Sequence, residues 1–100
     1  MNPAQLSIDT FVRRSSDQVS SNVEGEMAIM SIEKGNYYML NEVGARFWQL
    51  IDSPQRVGDA CAKLLKEFDT TREQCESEII QLGNELLEQN LIEVVDAPSS

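Results

Sequence analysis

The stretch that most restricts the fold is "YYMLNEVGARFWQLID", Tyr37 to Asp52, where an apolar strand pattern passes into a helix pattern with no loop between them. Ahead of it, "EKGN" supplies a turn, with Gly35 free to take a positive φ and Asn36 tolerant of one. Asn41 is a good N-cap, and Glu42 suits the positive end of the helix dipole. Val43, Phe47, Leu50 and Ile51 then recur at helical spacing. Gly44 is less favourable than Ala inside a helix by about 1 kcal/mol, which predicts close approach of another backbone to its bare face. The helix stops near "DSP", because the residue before Pro54 resists helical geometry. A helix starting right after Leu40 favours Tyr38 and Leu40 on the inner face of the strand, leaving Tyr37 and Met39 on the other.

The rest of the chain sorts around this junction. "LSIDTFVRR", residues 6–14, alternates Ile8, Thr10 and Val12 against Asp9, Phe11 and Arg13, as a half-buried strand does. "SSDQVSSN" reads as a polar loop. "EMAIMSI", residues 26–32, is apolar on both alternating faces, which predicts a strand covered on each side or nearly so. With Tyr37–Leu40 these segments predict an N-terminal three-stranded antiparallel sheet. A second helix is expected from about Arg56 to Phe68 on the spacing of Val57, Ala60, Cys61, Leu64, Leu65 and Phe68. Asp69 to Thr71 form a break and a cap, with Thr71 and Gln74, or Thr70 and Glu73, as a capping box. The third helix runs to about Gln89, Asn90 can end it, and "LIEVV" reads as a short terminal strand or extended tail. The expected class is α+β: a winged helix-turn-helix arrangement of sheet, three helices and terminal strand. It forms one domain over residues 1–100, with a core at about 6–95 and a frayed end at 96–100.

Charge narrows the function. Eight Lys and Arg stand against seventeen Asp and Glu, for a net charge of −9. A winged helix ordinarily reads DNA through its last helix, but here that helix carries Glu73, Glu76, Glu78, Glu85 and Glu88 against Arg72 alone. Phosphate would repel it, so nucleic acid is not an expected partner. The same charge argues against anionic membranes and favours partners with some positive charge. No apolar run approaches a membrane span and no signal peptide is evident, so a cytoplasmic location is expected.

Catalytic chemistry is scarce. The chain has no His, the commonest general base and metal ligand. Cys61 and Cys75 each lie within a helical apolar pattern, with no further Cys or His to complete a zinc site, and read as small core residues in a reducing compartment. Carboxylate pairs such as Glu73 with Glu76, or Glu85 with Glu88, sit on polar helix faces and read as solvation. No catalytic residue, metal or cofactor is expected, and the chain reads as a non-enzyme.

The third helix carries two apolar stripes. Cys75, Ile79, Leu82 and Leu86 form one; Ile80, Gly83 and Leu87 form a second, about 100° round, with Glu76 continuing it. A surface helix needs only one stripe to sit on a core. Periodicity leaves two readings open, a helix buried on two sides or a second stripe that lines a groove with Gly83 at its low point, and leans to the first.

At "YYMLNEVGARFWQLID" the chain resembles the PqqD-like family, whose members carry an apolar strand ending in Leu-Asn, two residues, a small residue and an apolar helix ending near an Asp. Leu40, Asn41, Gly44, Trp48 and Asp52 fit that pattern. Residues 56–95 are similar to the family's remaining two helices and terminal strand, with Asn90 where a Gly is usual. The resemblance implies a precursor-peptide recognition element of ribosomal peptide natural-product biosynthesis. Such a winged-helix domain binds a leader peptide as an added strand on its third sheet strand, in a cleft against its third helix, and presents it to modifying enzymes. Mapped here, Tyr37, Tyr38, Met39 and Leu40 would be the host edge, and Glu76, Ile80, Gly83 and Leu87 the cleft wall. The size of the chain fits the stand-alone leader-binding component of a lasso-peptide cluster, which works with a leader peptidase and a cyclase, and fits PqqD equally; the acidic surface and the "YYMLNEVGARFW" junction favour the lasso type. The alternative is a PqqD-type chaperone that carries the pyrroloquinoline quinone precursor to a radical enzyme. A monomer or a weak dimer is expected.

Overall fold

The computed structural model describes residues 6–16, 18–23 and 26–96. In chain order the elements are β1 (Phe11–Arg14), β2 (Gln18–Val23), β3 (Glu26–Ser31), β4 (Tyr37–Leu40), α1 (Glu42–Leu50), β5 (Gln55–Arg56), α2 (Val57–Glu67), α3 (Arg72–Glu88) and β6 (Ile92–Val95). The strands form two antiparallel sheets, ordered β2-β3-β4 and β5-β1-β6. This is the α+β architecture expected, with the strands distributed differently.

Three expectations are corrected. "SSDQVSSN" does not loop out: β2 begins at Gln18 and pairs residue for residue with β3, from Gln18 opposite Ser31 to Val23 opposite Glu26. Serines have little preference for strands, but they do not obstruct a ladder whose bonds are all backbone, and β3 is the template. The N-terminal strand is the shorter segment Phe11–Arg14, and it joins the other sheet, between β5 and β6. β3 is also covered on one face rather than both. Ile29 is fully buried while Met30 and Ile32 are exposed, because helices pack on only one side of this hairpin sheet.

The local punctuation follows the sequence. Gly35 takes a φ of 72° in the β3–β4 turn, and Asn90 takes 59° just past α3. The Asn41 side chain accepts from the Gly44 N–H at 2.9 Å, and the Thr71 hydroxyl accepts from the Gln74 N–H at 3.2 Å. The terminal strand is real: β6 pairs with β1 over Phe11–Val95 to Arg14–Ile92. The frayed end expected beyond Asp96 lies outside the described residues.

One apolar core joins these elements. Phe47 and Trp48 of α1, Ile29 of β3, Leu64 of α2, Ile79 and Leu86 of α3, and Val12 of β1 are all buried. Arg14 crosses the Trp48 ring 4.9 Å from its centroid and donates through Nε to the Trp48 carbonyl at 2.9 Å, tying β1 to α1. No helix among the described residues is long and apolar enough to cross a membrane.

Candidate functional site

β4 pairs with β3 on one side, and no described strand pairs with it on the other. Its hydrogen-bonding parity follows from the register. The Ser31 N–H donates to the Asn36 carbonyl at 2.9 Å, so 31 and 36 are a bonded pair. Bonded and non-bonded pairs alternate in an antiparallel ladder. Ile29 with Tyr38 and Met27 with Leu40 are therefore bonded pairs, and the backbone groups of Tyr37 and Met39 face the open edge. Side chains follow the complementary rule. Tyr38 is half-buried and Leu40 buried, while Tyr37 is 71% and Met39 45% exposed, as the junction with α1 predicts.

Beside this edge lies a groove of about 270 Å³ between β4, the start of α1 and α3. Its apolar lining comes from Leu40, Val43, Ile79 and Leu82, with Gly44 at the start of α1. Glu78 and Glu85 stand on its α3 side. The Tyr38 hydroxyl donates to the Glu85 carboxylate, fixing the ring across the groove. Gly44 has a reason to be glycine: an added Cβ would lie 3.3 Å from Leu82 Cδ2 and 3.4 Å from Leu40 Cβ. The close neighbours are side chains rather than the backbone expected.

The eight anticipated site residues divide. Tyr38, Met39 and Leu40 line the groove, and Tyr37 borders a smaller depression with Gly35, Asn36 and Gln89. Glu76, Ile80, Gly83 and Leu87 do not join them. Glu76 lines a separate depression with Ile8, Arg56 and Arg72, and Ile80 and Leu87 pack half-buried on the core. Gly83 is buried, and an added Cβ there would run into Leu6 Cδ1, since Leu6 lies against α3. The Leu6 N–H donates to Asn84 Oδ1 at 2.9 Å, and the Ile8 carbonyl accepts from the Gly58 N–H at 2.8 Å. The second stripe is thus covered at Gly83 by Leu6, and its flanking Ile80 and Leu87 pack on the core. At 100° per residue, Glu78, Leu82 and Glu85 lie roughly half a turn away from it, and with Ile79 and Gln81 they form the α3 side of the groove beside β4.

These three were missed because two of them are charged and the third belongs to the stripe assigned to the core. Leu82 is only half-buried. The available signal was Gly44: a glycine one turn into α1 requires a close neighbour, and that neighbour is Leu82.

Neither cysteine is an activated thiol. Burial pushes the Cys61 thiol up to about 12, and Cys75 is raised for the same reason, so both stay protonated at neutral pH. Cys75 Sγ points to the Cys61 carbonyl at 4.0 Å. Among the described residues no group of His, Cys, Asp or Glu is placed to hold a metal ion.

Two solved structures share the fold. One is described as "TbiB1 in Complex with the TbiA(beta) Leader Peptide", with a TM-score of 0.73 and 23% identity over 81% of this chain and 94% of that one. The other, "Lasso peptide synthetase B1 complexed with the leader peptide", has a TM-score of 0.71 and 21% identity over 82% and 96%. No curated protein matches the chain in sequence. The family described as "Coenzyme PQQ synthesis protein D (PqqD)" matches residues 26–92, which run from the start of β3 through the hairpin, the groove and all three helices to the first residue of β6, and the chain belongs to that family.

Proposed function

We propose that this chain binds the leader region of a ribosomally made precursor peptide and presents it to the modifying enzymes of a lasso-type pathway. The observation that carries this reading is the open edge of β4 beside an apolar groove. An unpaired edge offers alternating N–H and C=O groups to an extended guest, and the groove receives every second guest side chain. Tyr37 and Met39 supply the backbone contacts; Tyr38, Leu40, Val43 and Leu82 receive the side chains. The chain holds and delivers its guest without catalysing a reaction on it, and the likeness in fold to two proteins solved with leader peptides supports this assignment.

The family description favours a second reading, in which the guest is the precursor of pyrroloquinoline quinone. Both readings use the same edge and differ in the guest.

Hydrogen exchange with and without a lasso-type precursor leader peptide tests the site. Protection is expected at the Tyr37 and Met39 amides, with little change at Tyr38 and Leu40, which already bond to β3. A saturating leader that leaves Tyr37 and Met39 unprotected overturns the assignment. The same experiment with a pyrroloquinoline quinone precursor separates the two guests.

A further inference from the structure

The groove has an order along its length that specifies its occupant beyond "apolar peptide". Asn36 Nδ2 donates to Gln89 Oε1 at 3.4 Å, the Tyr38 hydroxyl donates to Glu85, and Gly44 meets Leu82. Passing from Asn36 to Gly44, α3 is therefore met from its C-terminal end backwards, so it runs antiparallel to β4. The wall beside the edge reads Glu85, then Leu82 and Gln81, then Ile79 and Glu78, so its two charges flank an uncharged middle. No Lys or Arg lines the groove, and neither carboxylate is in a described salt bridge.

A strand added antiparallel to β4 places its groove-facing side chains opposite Leu40 and Tyr38, about 6.8 Å apart at every second residue. The side chain opposite Leu40 meets Leu82, Val43 and Ile79. Along α3, Glu85 lies about 4.5 Å to one side of Leu82 and Glu78 about 6 Å to the other. A Lys or Arg two residues before or after the central side chain spans those offsets.

Resting on the reading above, we propose that the groove selects a strand of the pattern basic-x-apolar-x-basic: an apolar residue seated on Leu82, and Lys or Arg on the same face opposite Glu85 and Glu78. The strand edge and the apolar lining make the site, and the two carboxylates set the charge of what fills it. Binding the guest neutralises like charges in a chain whose net charge is −9.

Three end-blocked ten-residue synthetic peptides test this. They share a central Leu in a Thr/Val background and carry Lys, Gln or Glu at both positions two residues from it. Affinity is expected to fall from Lys to Gln to Glu, by about 1.5- to 5-fold per carboxylate, and the spread should collapse in 1 M salt. In the Glu78→Gln/Glu85→Gln variant the three peptides should bind alike, at the affinity of the Gln peptide for the unaltered protein. A Glu73→Gln/Glu76→Gln variant, with the same loss of net charge away from the groove, should keep the spread. Equal binding of all three peptides at low salt overturns the charge pattern and leaves the groove assignment standing. A spread that survives in the Glu78/Glu85 variant overturns it too, by assigning the effect to the field of the whole chain. If no peptide binds up to millimolar concentration, the groove assignment falls as well.

Discussion

Replacing Met39 by Pro removes one backbone donor from the outer edge of β4 and almost nothing else. The register assigns the Tyr38 and Leu40 backbone groups to the ladder with β3, and those of Tyr37 and Met39 to the guest. Two donors and two acceptors are therefore available, and Met39→Pro deletes one donor. A net hydrogen bond contributes about 0.5–1.5 kcal/mol, which converts to a loss of affinity of about 2- to 13-fold. Proline is tolerated on an edge strand when its missing N–H faces outward. The restriction it places on the preceding residue suits Tyr38, which is already extended. Stability should fall by less than about 1 kcal/mol, in the range of surface substitutions. Met39→Ala controls for the side chain, while Tyr38→Pro, which removes a bond to Ile29, should lower the melting temperature far more. The assay is fluorescence anisotropy of a labelled leader peptide, with thermal melts followed by circular dichroism. A Met39→Pro protein that melts like the original and binds the leader undiminished refutes the edge assignment.

Three further outcomes follow from the packing. Leu82→Glu places a charge on the half-buried groove wall and should weaken leader binding at least 10-fold; Leu87→Glu, on the other side of α3, should lower the denaturant midpoint and leave the affinity of the folded protein within about 2-fold, with ~1–3 kcal/mol of stability lost. Gly83→Ala and Leu6→Ala should be non-additive: alone, the new Cβ displaces Leu6, whereas with Leu6 truncated the better helix propensity of Ala returns about 1 kcal/mol, and additive denaturant midpoints would contradict that contact. Cys61 holds its proton to about 12 when folded against 9.0 for the free group, so its contribution is complete below pH 9 and is lost as pH rises from 9 toward 12, by at most about 1.4 kcal/mol per pH unit; urea titrations of the original and a Cys61→Ala variant at pH 8 and 10.5 should differ in slope with pH.

Sequence alone determined whatever depends on neighbours in the chain. The positive φ at Gly35, the Asn41 and Thr71 caps, the left-handed Asn90 and the three helices all came from short-range stereochemistry and periodicity, whereas which of Tyr37 and Tyr38 faces the core was only favoured by the helix entry and was decided by packing. Charge alone turned the reading away from nucleic acid. Tertiary structure decided which strands pair and which face of α3 meets β4. β2 is polar and forms because β3 offers it a ladder, a contact no local preference encodes. α3 has two apolar stripes, and periodicity measures the angle between them without saying what lies against either. The N-terminal segment covers Gly83 with Leu6, and the hairpin turns β4 toward Glu78, Leu82 and Glu85. The Leu6–Asn84 and Tyr38–Glu85 hydrogen bonds join residues more than forty positions apart in the chain. Only when the core closes around Phe47, Trp48 and Leu86 does one side of α3 become interior and the other the wall of a groove.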